Sequence, residues 1–196
     1  MATYNAIKYN VDYAGFAGSL IPIAVFTSDG SDSTASFTSG INSTYDKYLF
    51  IINNIHPQTD NTTFGFNGSI DSGSNYNVTK TTTFFRGTQE ENDSSAALSY
   101  QTDKDIAQGT GDQQLAQSLS GDNDGNVSGK LWLFNPSSTT FVKHFIATMN
   151  ETHGGDLSIN SHVAGYFNTT SAVDAVRFQM ASGEIQGGTI QMFGVH

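Results

Sequence analysis

Apolar and polar residues alternate with a period of two through much of this chain, most cleanly near its end. In Ala175-Val176-Arg177-Phe178-Gln179-Met180, the residues Val176, Phe178 and Met180 fall on one side and Arg177 and Gln179 on the other. A strand packed on one face and wet on the other produces that pattern. Fully burying each of the three apolar side chains is worth about 1.5–3 kcal/mol, which holds the register. Val163-Ala164-Gly165-Tyr166-Phe167 precedes it. Thr189–Val195 follows a turn at Ala181-Ser182-Gly183-Glu184. Together they predict a β-meander.

The same rule divides the rest of the chain. Leu20–Thr27 is a strand whose Pro22 cannot donate to a ladder, which places it at an edge or near a strand start. Asp29-Gly30 signals a hairpin turn, and Ala35 and Phe37 alternate weakly beyond it. Tyr45–Ile55 is apolar on both faces, as in a strand covered on both sides, and closes at His56-Pro57. Thr63–Asn67 is a short strand in which Gly65 marks a bulge or a close backbone approach. Further strands are expected around Thr79–Arg86, Leu98–Thr102, Gly129–Phe134, Phe141–Met149 and Leu157–Phe167, with Gly87–Ser95 the most polar stretch. Asp112–Leu119 is the one predicted helix, with Asp112 as N-cap and Leu115 and Leu119 on one side. Trp132, inside Leu131-Trp132-Leu133-Phe134, is expected in a core or inter-sheet position. About ten strands at this spacing predict an all-β fold, an antiparallel β-sandwich or barrel, in one domain. Residues 1–18 are set apart from the domain at 19–196. They form either a first strand or a docking arm whose Tyr4, Tyr9, Tyr13 and Phe16 lie on a neighbouring subunit.

Composition sharpens this picture. The 14 Phe and 8 Tyr supply large buried areas, although only 37% of the 196 residues are hydrophobic. A formal net charge of −10 disfavours binding to nucleic acid or to an anionic membrane. Cysteine is absent, which removes disulfides and thiolate chemistry. No basic region leads into an apolar run at the N-terminus, and no stretch reaches the roughly 20 apolar residues of a membrane span. Neither a leader nor a membrane partner is therefore expected.

Candidate chemistry is sparse. Zinc-helix, nucleophile-elbow, phosphate-loop and thiol motifs are missing. The four glutamates, Glu90, Glu91, Glu151 and Glu184, are all expected in loops, which argues against a facing carboxylate pair for glycoside hydrolysis. Asp122-Asn123-Asp124-Gly125-Asn126 has oxygen ligands on alternate residues, as calcium prefers. Its Gly and its closing position depart from the EF-hand loop, and a plain polar turn is the stronger reading. His144, His153 and His162 recur every nine residues, which is no established ligand spacing, and His144 reads as a sheet-face histidine. Asn-x-Ser/Thr triplets recur, as at Asn42 and Asn168, and chance accounts for them in so Asn-, Ser- and Thr-rich a chain. No catalytic residue, metal ligand or cofactor is assigned.

Three stretches carry a likeness. Ser137–Phe145, Val163–Val173 and Ser182–Val195, with Asn54-Ile55-His56-Pro57 and Gly73–Asn77 upstream, resemble a family of structural proteins from tailed phages of marine bacteria, including cyanophages. That resemblance implies a jelly-roll-like β-sandwich without enzyme activity, assembled in the host bacterial cytoplasm into a virion. A homotrimer decorating the capsid, or forming a head or tail appendage, is then expected, with the major capsid protein among its partners. A host-attachment module that holds surface glycan through aromatics such as Tyr76 or Phe84 is the second expectation. A polysaccharide-degrading enzyme is a distant third.

Overall fold

The alternation is realised as strands throughout. The structure is a computed structural model whose described residues are 20–195. The segment 1–18, with Tyr4, Tyr9, Tyr13 and Phe16, lies outside the described residues. In chain order the strands are β1 (Ile21–Thr27), β2 (Ala35–Phe37), β3 (Lys47–Pro57), β4 (Thr62–Ser69), β5 (Lys80–Glu90) and β6 (Ala96–Tyr100). They continue with β7 (Gln113–Leu119), β8 (Val127–Phe134), β9 (Lys143–His153), β10 (Leu157–Phe167), β11 (Ala175–Met180) and β12 (Ile185–Val195). No helix occurs among the described residues.

Every pairing is antiparallel. Eight strands run in the order β1-β12-β3-β8-β9-β10-β5-β6, and four in the order β7-β4-β11-β2. One partner pair, Leu119 with His153, joins β7 to β9. The result is a single twelve-stranded sheet that folds over and nearly closes. Aromatic rings fill the space between its two runs. Phe178 of β11 meets Phe37, Phe50, Phe64 and Phe66 with ring centroids 6.2, 5.4, 5.9 and 6.1 Å away. Phe66 meets Phe145 at 4.9 Å.

Several expectations need correction. The segment 112–119 is a strand. Leu115 and Leu119, four apart, share a face at period two as well as in a helix, and Gln113 and Gln117 are buried beside them. Gln113 is satisfied inside, accepting from the Thr82 hydroxyl at 2.6 Å and donating to the Lys104 carbonyl at 3.1 Å. Asp112 caps nothing helical. Its carboxylate instead accepts from Asn67, Arg177 and Gln179 on the outside of β4 and β11. The closing strands form no meander either, because β10 lies between β9 and β5, β11 between β4 and β2, and β12 between β3 and β1. Asp29-Gly30 closes no hairpin, since β1 pairs with β12 and β2 with β11. The polar stretch after Gly87 continues β5 as far as Glu90, and with β7 counted as a strand the described residues hold twelve strands, where about ten were expected.

Other features match expectation. β1 is an edge strand and holds Pro22. Gly65 sits at a register shift in β4, where a Cβ would lie 2.9 Å from the Gln113 carbonyl oxygen. Gly188 has a φ of +100°, and a Cβ there would collide with the Asn54 carbonyl oxygen. Replacing Gly188 with Ala should therefore cost about 2 kcal/mol, read as a lowered urea midpoint with an unchanged slope.

Candidate binding face

Cross-strand partners share a face of a sheet, so the register sorts every side chain of the eight-strand run into inward or outward rows. Ala24, Met192, Phe50, Leu131, Ala147, Val163 and Phe84 make one inward row. The next row out of phase is Pro22, Phe193, Leu49, Trp132, Ile146 and Ala164, on the opposite side of the sheet from the core row, with Leu49 between Phe193 and Trp132 only 5% exposed. Trp132 is therefore outward and half-buried, not a core residue. Leu131 and Leu133 hold the inward positions on either side of it.

Rows on either side mix rings with polar residues, Lys47, His144 and Thr81 in one and Gln191, Lys130, Thr148 and His162 in the other. Trp132 stacks on Phe134 with centroids 6.2 Å apart and planes 15° from parallel. His144 of β9 leans on its cross-strand partner Tyr166 at 5.8 Å. His162 of β10 lies flat on its partner Phe85 at 4.9 Å. Ile146 is 50% exposed, Val25 59% and Phe85 43%. Small Ala164, between taller neighbours on β9 and β5, floors a groove of about 400 Å³ walled by Thr81, Thr83, His144, Ile146 and Tyr166. A second hollow of about 350 Å³ lies over Ile51, Lys130, Thr148, Asn150 and Asn160.

The charge pattern of this face sets it apart. The chain has 18 carboxylate side chains. None occupies an outward strand position on the eight-strand run, where the charged residues are Lys47 and Lys130. Those two lysines flank the central row, two positions from Leu49 and Trp132 respectively.

The other residues singled out from sequence are scattered. His144 and His162 are outward, whereas His153 ends β9, with its Nδ1 accepting from the Gly155 N–H at 2.9 Å. Burial holds the His153 pKa below the ordinary imidazole value. Among the described residues no group of three His, Cys, Asp or Glu is placed to hold a metal ion. The 122–126 loop is closed by its own hydrogen bonds, Gly125 N–H to the Asp122 carbonyl and the Asn126 amide to the Asp124 carbonyl. Phe84, expected as an aromatic that holds glycan, is buried in the core, and Tyr76 lies with its ring under the Arg177 guanidinium at 4.6 Å. Phe84 is therefore out of reach of a sugar, and one face of the half-buried Tyr76 ring is taken by Arg177.

Three buried charges escaped the sequence reading: Glu151, Lys80 and Lys143, the last donating to the Phe141 and Thr169 carbonyls. Glu151 is in β9, not a loop, only 2% exposed, and both its carboxylate oxygens accept from the Gln117 N–H. Glu90 likewise ends a strand. Lys80 is wholly buried, its Nζ donating to the Gly111 carbonyl at 2.6 Å and lying over the Phe167 ring. Desolvation lowers the Lys80 pKa to about 8, although the Asp112 charge opposes the shift. The folded state thus prefers the neutral amine more than the unfolded chain does. The resulting penalty is in force below about pH 8 and is relieved as pH climbs from about 8 towards 10.5. Wild-type stability should rise over that interval relative to Lys80→Met, by on the order of 1–2 kcal/mol, in parallel urea titrations.

No protein-family model, curated protein or solved structure matches this chain.

Proposed function

We propose that this chain is a non-enzymatic structural component of a tailed-phage particle, carried on the particle surface as a capsid decoration or a head or tail appendage. One observation carries the reading: an outer face free of carboxylates, with Val25, Ile146 and Phe85 exposed on it, on a chain of net charge −10. Exposed apolar side chains gathered on one face mark an association surface. A protein that places its acidic residues elsewhere keeps the face for a partner. The resemblance of the 137–145, 163–173 and 182–195 stretches to marine phage structural proteins supplies the kind of assembly. In this reading the folded-over sheet is a jelly-roll-like β-sandwich, the working unit is a homotrimer, and the major capsid protein is among its neighbours. Quantitative mass spectrometry of density-purified particles tests it. Fixed stoichiometry with the capsid protein is the expected result, and a chain found only in the soluble fraction of infected cells would overturn it.

The groove beside Tyr166 favours one second reading, attachment to host surface glycan. Here an aromatic ring is joined by His144 and the Thr81 and Thr83 hydroxyls, a combination that stacks on and hydrogen-bonds a sugar. Glycan-array binding that Tyr166→Ser reduces at least about tenfold, with the melting temperature unchanged, is what this reading expects.

A further inference from the structure

We infer that the outward face of the eight-strand run holds an acidic polysaccharide, lying across the sheet from the Tyr166 groove to the hollow beside Lys130. This rests on the attachment reading above and names the class of glycan which that reading leaves open. Both hollows are lined by residues of β9 and β10. Ala164 in the first and Asn160 in the second are outward positions four residues apart on β10, about 13 Å along the strand. Thr148 and His162, cross-strand partners that also point outward, lie between them. The two hollows therefore lie on one path.

The chemistry along that path suits a sugar chain better than a protein. The core of a protein interface is apolar and poor in charge. Here rings and hydrogen-bonding groups are mixed, Tyr166 with Thr81 and Thr83 in the groove and Thr148, Asn150 and Asn160 in the hollow. A sugar ring has an apolar face and a rim of hydroxyls, and it uses both kinds of group. Charge supplies the acidic part. Neither hollow is lined by Asp or Glu. Lys130 stands exposed in the second, with no ion-pair partner among the described residues, and its cross-strand partners Ile51 and Thr148 are uncharged. A carboxylate or sulfate on the sugar meets that ammonium, while the rest of a chain of net charge −10 repels the polymer. An acidic glycan is thereby steered to this face and held off the others.

Isothermal titration of the full chain tests the inference at one ionic strength with three probes of matched length: alginate, a polymer of uronic acids; dextran, a neutral one; and polyglutamate, an acidic peptide. Alginate should bind at least about tenfold tighter than either of the others. Lys130→Gln should weaken alginate binding at least about fivefold, whereas Lys104→Gln, which removes a lysine paired with Asp103 on a loop, should bind as wild type does. Lys130 is exposed, so its replacement leaves the core untouched, and circular dichroism melting checks that each variant folds. Alginate that binds no tighter than dextran, or as tightly to Lys130→Gln as to wild type, overturns the inference. Polyglutamate that matches alginate overturns it too, because charge alone then suffices. If glycan-array binding sensitive to Tyr166→Ser persists beside any of these results, the attachment reading stands without the inference. If the array is blank as well, both fall.

Discussion

Phe178→Ala should lower the stability of the folded chain by about 3–5 kcal/mol, the range for truncating a fully buried phenylalanine. Phe178 is 0% exposed and its ring touches four others, from β2, β3 and both aromatic positions of β4. Its contact with Phe50 is one of the links between the short run and the long one, beside Phe66 with Phe145 and the Leu119–His153 pair. The strands around it are held by their own ladders and cannot collapse inward to refill the space, so the cavity penalty adds to the lost transfer energy. Equilibrium urea unfolding measures the effect. Replacing Phe178 with Leu, which keeps most of the volume, should recover more than half of the loss. If Phe178→Ala costs under about 1 kcal/mol, the two runs do not meet across this ring.

The second large effect is a dependence on pH centred on Glu151. Burial drives its pKa up to about 8, against the opposing pull of the Gln117 N–H and the Arg86 charge. The folded pKa is thus above the unfolded value, and the folded state holds the proton more tightly. The associated stability is fully present below about pH 4.5 and is lost as pH rises through about 8. Glu151→Gln keeps an acceptor for the Gln117 N–H and removes the titration. It should match wild type near pH 4 and exceed it above pH 8 by on the order of 3 kcal/mol. Urea midpoints of the two proteins across that range would diverge in this direction. Parallel curves would mean that the carboxyl is hydrated and ordinary.

What could be read from the sequence follows from the range of each signal. Burial on one face is local, so Val176, Phe178 and Met180 gave away their strand, Pro22 its edge and Gly65 its bulge. Pairing partners are not local, so three strands that look like a meander could not be distinguished from three strands that visit different parts of the sheet. At Leu115 and Leu119 a spacing of four satisfies both a helix and a strand, and the case is decided by the pairing of this segment with β4 and the inward satisfaction of Gln113.

The candidate face was harder to see for a related reason. Leu131-Trp132-Leu133-Phe134 is apolar at every position, and such a run does not say which pair faces out. Register does, because Trp132 lies opposite Leu49 and Ile146 while Leu131 lies opposite Phe50 and Ala147. Glu151 was missed because Asn150, Thr152 and His153 around it resemble a turn, although β9 runs on through them. The absence of outward carboxylates becomes visible only after all eight strands have been placed side by side.

Trp132 is the one tryptophan of the chain and sits in the central outward row, so its fluorescence reports directly on whether that face is covered. Acrylamide quenching of the full-length protein should fall severalfold as alginate saturates the face, and at the same alginate concentration it should stay high for Lys130→Gln. Strong quenching that alginate leaves unchanged in the wild type would contradict an account in which the face is kept free of carboxylates for an acidic partner.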